Sequence, residues 1–338
     1  MRKFLLILIC LSTGYSLSAQ IQGFYDGKKV TANSVKYYRA PKHSTFLSFS
    51  FGLSNYLGDL GGNTGIGKKF FYDNNFKKNT FFYGFSISHL RRDAVGFRLN
   101  YTAGKIAGSD HDAAYRNETD DAYFRYKRNL DFRSKISELS LLLEVYPFKF
   151  ASAQTALHRW NVQPYLLGGI GLFSFNPQGS YFDELADDYV WVDLARLHTE
   201  GQGMNAYPDR KPYALTQMNL PFGFGVHYDL GLKTSLSLEF VGRKLSTDYL
   251  DDVSTTFIDA SLFDQHLNEE DAALAKIIYN KSNLIDPDHP YRAGEQRGNP
   301  ANNDFYYSFN LKFSIKISKM KIPFIKKHYK FDDREICD

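Results

Sequence analysis

The strict period-two alternation near the end of the chain constrains the fold more than any other feature. In residues 305–317, FYYSFNLKFSIKI, the side chains of Phe305, Tyr307, Phe309, Leu311, Phe313, Ile315 and Ile317 alternate with those of Tyr306, Ser308, Asn310, Lys312, Ser314 and Lys316. Successive side chains of a strand point to opposite faces, so one face is wholly apolar and the other carries polar groups. Residues 45–57, TFLSFSFGLSNYL, repeat the pattern, with Leu47, Phe49, Phe51 and Leu53 opposed to Ser48, Ser50, Gly52 and Ser54. If the apolar face meets lipid, Lys312 and Lys316 must point inward or lie near an interface, because a lysine facing mid-bilayer costs roughly 2–4 kcal/mol.

Six further segments read as strands: residues 81–90, 94–103, 136–146, 160–175, 215–230 and 235–245. Each is close to the roughly 9–11 residues that a tilted strand needs to cross a bilayer. The stretch PYLLGGIGLFSF is apolar on both sides, so alternation does not assign its faces. The connections run long, short, long, short, long, short, long: residues 58–80, 91–93, 104–135, 147–159, 176–214, 231–234 and 246–304. Long loops at one end and short turns at the other are the layout of bacterial outer-membrane barrels. A soluble β-sandwich explains the strands but not this one-sided bias. The sequence therefore predicts an all-β fold, an eight-stranded antiparallel transmembrane barrel over residues 44–317. An even strand count leaves both termini in the periplasm.

The first residues, MRKFLLILICLSTGYSLSAQ, carry Arg2 and Lys3, an apolar run and then small residues, which is the layout of a secretory signal peptide over residues 1–19. Residues 20–43 then form a periplasmic N-terminal segment and residues 318–338 a periplasmic tail. A net charge of +4 is too weak to argue for nucleic acid, whereas 16% aromatic residues suit a membrane barrel. Of the two cysteines, Cys10 leaves with the signal and Cys337 remains alone, which points to a bond with another chain or to a free thiol.

Inward-facing charges form the first candidate site: Arg98, Glu138, Glu144, Glu239, Arg243 and Lys312, with Lys316 beyond them. An eight-stranded barrel has an interior just wide enough for its own side chains, so these groups are expected to pair rather than line a solute path. Asp248, Asp251 and Asp252 just past the seventh strand offer three carboxylates to a metal such as Ca²⁺, but without the spacing of a calcium loop. A solvated loop start is the expectation there, and no cofactor is assigned. The histidines are scattered, His111 between Asp110 and Asp112 included, and no catalytic set is read from them. NEEDAALAKII predicts a helix capped by Asn268, with Leu274, Ile277 and Ile278 on one face. In the tail, Ile322, Phe324, Lys326, Lys327, Tyr329 and Phe331 interleave apolar and basic side chains, too aromatic for a solvating segment. They read as a docking segment ahead of Cys337.

Taken in order, GLSNYLGDLGG from Gly52, PYLLGGIGLFSFNPQG from Pro164, NLPFGFGVHYDL from Asn219, GRKLSTDYLDDVST from Gly242 and RGNPANNDFYYSF from Arg297 resemble the PorG-like outer-membrane barrels of the phylum Bacteroidota. The resemblance spans nearly all of the mature chain. It implies a component of the type IX secretion system associated with periplasmic rings of the lipoprotein PorK and its partner PorN, and in some relatives a link to gliding. It implies anchoring rather than a reaction, with Cys337 bonded to a cysteine of the PorK-like lipoprotein. The other reading kept open is a small outer-membrane solute channel of the compact barrel type.

Overall fold

The computed structural model describes residues 24–25, 28–29, 43–60, 79–113, 115, 117–150, 161–231 and 233–317. The signal segment, most of residues 20–43, and the tail residues Ile322, Phe324, Lys326, Lys327, Tyr329, Phe331 and Cys337 lie outside the described residues. Phe24–Tyr25 pairs antiparallel with Lys28–Lys29 in a unit of its own.

Eight strands build the second unit: β1 His43–Leu57, β2 Thr80–Arg91, β3 Val95–Ser109, β4 Asp131–Val145, β5 Val162–Ser174, β6 Thr216–Asp229, β7 Thr234–Leu245 and β8 Phe305–Lys316. Each pairs antiparallel with its sequence neighbour. The sheet closes because β8 also pairs with β1, from Phe305 opposite Leu57 to Lys316 opposite Phe46. A sandwich has sheet edges; this barrel has none.

Alternation sorts side chains between lumen and exterior on every strand, β5 included. There Gln163, Tyr165, Leu167 and Phe173 are buried inside, while Leu166, Ile170 and Leu172 are exposed outside. Phe49 and Phe51, Phe85 and Ile87, Leu99, Leu141, Ile170, Phe222 and Phe224, Leu238, and Phe309 join into an exposed apolar band around all eight strands. Soluble proteins rarely expose apolar patches beyond a few hundred Å². A band continuous around a closed barrel requires lipid. Among the described residues no helix is long and apolar enough to cross a membrane.

Glycine admits aromatic rings to the narrow lumen at two places. Gly225 stands opposite Tyr165 and Gly104 opposite Phe82. A Cβ at Gly225 would lie 2.5 Å from the Tyr165 ring, and one at Gly104 would lie 2.1 Å from Phe82. Above the lumen, Tyr56, Phe82, Ile106, Phe132, Phe173, Phe175 and Tyr306 fill the loop end as one apolar core.

Two expectations need correction, and one is met. β3 and β4 run on to Ser109 and back to Asp131, so the connection drawn as residues 104–135 is shorter and contains helix α1, Asp121–Arg128. The last loop holds α2, Ser261–His266, and α3, Glu269–Ile278; Asn268 caps α3 by accepting from the Asp271 amide. The buried face of α3 is Ala272, Ala275 and Ile278, whereas Ile277 is exposed. Small residues face inward because α3 lies close against an outer hairpin, Pro177–Asp183 and Asp188–Asp193, that continues β4 beyond the barrel.

Candidate functional site

All six sequence-predicted lumen charges are buried inside the barrel, in two groups. Nearer the short-turn end, the Arg98 guanidinium donates to Glu239 at 2.9 Å and also pairs with Glu144. Lys312 Nζ lies 2.5 Å from Glu239 and 3.6 Å from Glu144. The Tyr165 hydroxyl donates to Glu239, and its ring lies 5.0 Å from the Lys312 ammonium. Two cations meet two carboxylates, so the group is neutral.

One level toward the loops, Arg243 Nε donates to Glu138 at 2.9 Å, Asn219 donates to the same oxygen at 2.9 Å, and the Tyr306 hydroxyl does so at 2.6 Å. Arg243 also donates to Ser308 Oγ at 2.7 Å and stacks over the Tyr306 ring. At the turn end Lys316 pairs with Asp93 at 3.2 Å. Burying these ions costs several kcal/mol each unless each finds an opposite charge and hydrogen bonds. Opposite charges within each level supply both and leave the lumen filled by protein.

At the loop end the expectation of a solvated Asp248–Asp252 region fails. Asp251 and Asp252 are fully buried and Asp248 nearly so. Residues 246–304 fold back over the barrel mouth, and their carboxylates serve as acceptors there. Asp251 accepts from the Tyr56 hydroxyl, from the Leu60 amide at 3.2 Å and from the Val253 amide at 2.9 Å. Asp304 accepts from the same Tyr56 hydroxyl at 3.2 Å and from the Leu250 amide at 2.9 Å. Asp252 accepts from Thr199 at 2.5 Å and Tyr213 at 2.6 Å. Asp251 and Asp252 thus diverge to separate partners, whereas Asp251 and Asp304 share the Tyr56 hydroxyl. Among the described residues no group of three His, Cys, Asp or Glu side chains is placed to hold a metal.

Burial, reinforced by the neighbouring carboxylates, raises the carboxyls of Asp251 and Asp304 well above the usual range. Burial likewise lifts Asp59 and Asp252 to about 6 and Asp248 to about 7.

Two buried arginines that the sequence reading missed tie the long loops together. Arg128, at the end of α1, donates to Asp110 at 2.7 and 2.9 Å, to the Asp59 carbonyl at 2.6 Å and to the Arg297 carbonyl. Arg297 donates to Glu200 at 2.9 Å and to the Asp252 carbonyl at 2.5 Å, while Glu200 accepts from the Ser254 and Thr255 amides. All four long connections meet at this pair. His111, by contrast, is exposed beside Tyr126, outside any cluster.

The residues at 43–195 match a family described as a domain of unknown function (DUF6089). No curated protein matches the chain. Among solved structures the chain is similar to Ail, the attachment invasion locus protein of Yersinia pestis, at 7% identity, covering 82% of this chain and 99% of that one with a TM-score of 0.34. It is similar to the outer membrane protein OprG from Pseudomonas aeruginosa at 11% identity, covering 83% and 99%, with a TM-score of 0.31. A major outer membrane protein from Thermus thermophilus is similar at 12% identity, covering 80% and 99%, with a TM-score of 0.35.

Proposed function

We propose that the chain is an outer-membrane barrel that anchors a periplasmic ring of the type IX secretion system, built of PorK-like and PorN-like subunits, and that it neither conducts solutes nor catalyses a reaction. The filled lumen carries this reading. A channel needs a water path, and here Arg98, Glu144, Glu239 and Lys312, then Glu138, Arg243 and Tyr306, occupy successive levels of an interior that is only one side chain wide. The resemblance of the barrel and loop motifs to PorG-like proteins supplies the ring.

The start of β1 and the end of β8 sit at the short-turn end, where the Ile317 amide donates to the Thr45 carbonyl at 2.9 Å. In the proposed orientation that end faces the periplasm and places residues 318–338 beside the ring. Ile322, Phe324, Lys326, Lys327, Tyr329 and Phe331 dock first, and Cys337 then bonds a ring-lipoprotein cysteine in an oxidising compartment.

Affinity purification of the tagged chain from native membranes should recover the ring lipoprotein and its partner. Non-reducing electrophoresis should show a heavier species that reductant collapses and that Cys337→Ser lacks. In planar bilayers the purified protein should be electrically silent. Recovery of no ring subunit sinks the anchoring role, and discrete conductance steps would establish the channel instead.

A further inference from the structure

On the outward face of β3 and β4 the register sets Phe97 against Leu143, Leu99 against Leu141 and Tyr101 against Leu139, all within the apolar band. Two rungs closer to the loops, roughly 13 Å along the strand, the same face carries Lys105 directly opposite Lys135. The next rung sets Ala107 against Arg133. All three cations are exposed. Like charges directly across a strand pair are destabilising.

Nothing acidic among the described residues neutralises them. The nearest carboxylate along the strand, Asp131, is engaged by Lys281 and by the Ser180 hydroxyl. Arg133 Nε donates only to the neutral Gln178 side chain, at 2.9 Å. Its guanidinium lies 4.3 Å from the centre of the Trp191 ring. Thr80, Lys105, Asp131, Arg133 and Trp191 line a cleft of about 290 Å³ at this height, the Asp131 carboxylate being the one held by Lys281 and Ser180. Among the described strand residues, outward cations face one another only on this flank. At the loop ends of β5 and β6 the outward residues are Ser174 and Thr216, which hydrogen-bond each other at 2.9 Å, and β7 carries the solitary Lys244.

We propose that this flank binds the phosphorylated headgroup of a lipid in the leaflet at the loop end. Phosphate oxygens accept from the Lys105 and Lys135 ammonium groups and from Arg133, which relieves the opposed charges. The acyl chains descend along Tyr101, Leu139, Leu99 and Leu141. Trp191 stands where an interfacial ring belongs, with one side toward the headgroup. A free phosphate has the same anionic chemistry but leaves the apolar strip below unused; a lipid uses both. This inference needs the barrel in a membrane and is independent of the ring.

Native mass spectrometry of the full-length protein in detergent, titrated with bisphosphorylated lipid A, tests it. Wild type should retain the lipid at least about tenfold more tightly than its dephosphorylated form. Lys105→Gln with Lys135→Gln should weaken retention by about thirtyfold, the loss expected for two interfacial cations. Lys244→Gln should match wild type, and millimolar inorganic phosphate should leave the lipid in place. Heat-modifiable electrophoretic mobility verifies that the variants fold. If the double variant does not, Arg133→Gln carries the same test at about fivefold. Equal retention by the charge-removed variant, equal retention of dephosphorylated lipid, or an equal effect of Lys244→Gln overturns the site. Displacement by inorganic phosphate would assign it to a free anion and overturn the lipid.

Discussion

A single carboxylate holds much of the lumen together. Glu239 accepts from Arg98, Lys312 and Tyr165, so Glu239→Leu leaves buried cations short of a partner and should cost about 3–5 kcal/mol. Adding Lys312→Met restores the charge count and should recover most of the loss. Urea unfolding in micelles measures both, and a single variant with the wild-type midpoint would show that the network adds nothing to stability. The cap carboxyls make a prediction of opposite character. Because Asp251, Asp304, Asp59, Asp252 and Asp248 have folded pKa values raised above the unfolded value near 3.9, the folded cap binds more protons than the unfolded chain. Its stability is fully present below about pH 4 and falls as pH rises through about 7. The protection of the amides of residues 248–254 from hydrogen exchange, relative to their intrinsic rates at each pH, should therefore be greater at pH 5 than at pH 8, and Asp251→Asn should flatten the difference. The lumen charges were legible in the sequence because strand parity gives each inward group a fixed direction. Arg128, Arg297 and Glu200 were not, since loops have no period and their partners lie between 18 and 169 residues away.

Among the elements, the strands carry the sharpest contrast between faces. Phe222 is exposed in the apolar band while its neighbour Gly223 faces the lumen. Phe222→Arg should cost about 2–4 kcal/mol and block insertion into vesicles, whereas Gln217→Asn, at the lumen side of the loop end, should insert as wild type. Insertion of the arginine variant at the normal rate would mean the faces are assigned backwards. Parity was enough for the alternating strands, whereas β5, apolar on both sides, shows its faces only through the lumen packing of Tyr165 and Phe173. Helix α3 was legible from its cap but not in its buried face. Ala272 and Ala275 lie inward because the hairpin leaves no room for larger groups, a reason that exists only in the tertiary structure. The three-residue turn between β2 and β3 holds both Arg92 and Asp93 at φ 55°, in the left-handed region that favours glycine. Arg92→Gly should raise stability by a few tenths of a kcal/mol, while Asp93→Gly gains there but loses Lys316. Equal effects in thermal unfolding would show that the Lys316 pair contributes nothing.

At the scale of the molecule, closure joins the two ends of the barrel sequence. Ser48 on β1 donates to Ser314 on β8 across 266 residues, in a seam that runs the length of both strands. Seven of the eight strand pairs join sequence neighbours and can form as hairpins or loop-linked ladders. The eighth cannot form until the last strand exists. Loop-closure entropy delays such a contact, so a chain whose translocation is unfinished carries two open sheet edges, β1 with Phe49 and Phe51 and β7 with Leu238 and Phe240. For this protein the time between export and insertion is a period of aggregation risk, and its safe passage depends on something holding β1 apart from other chains until β8 arrives.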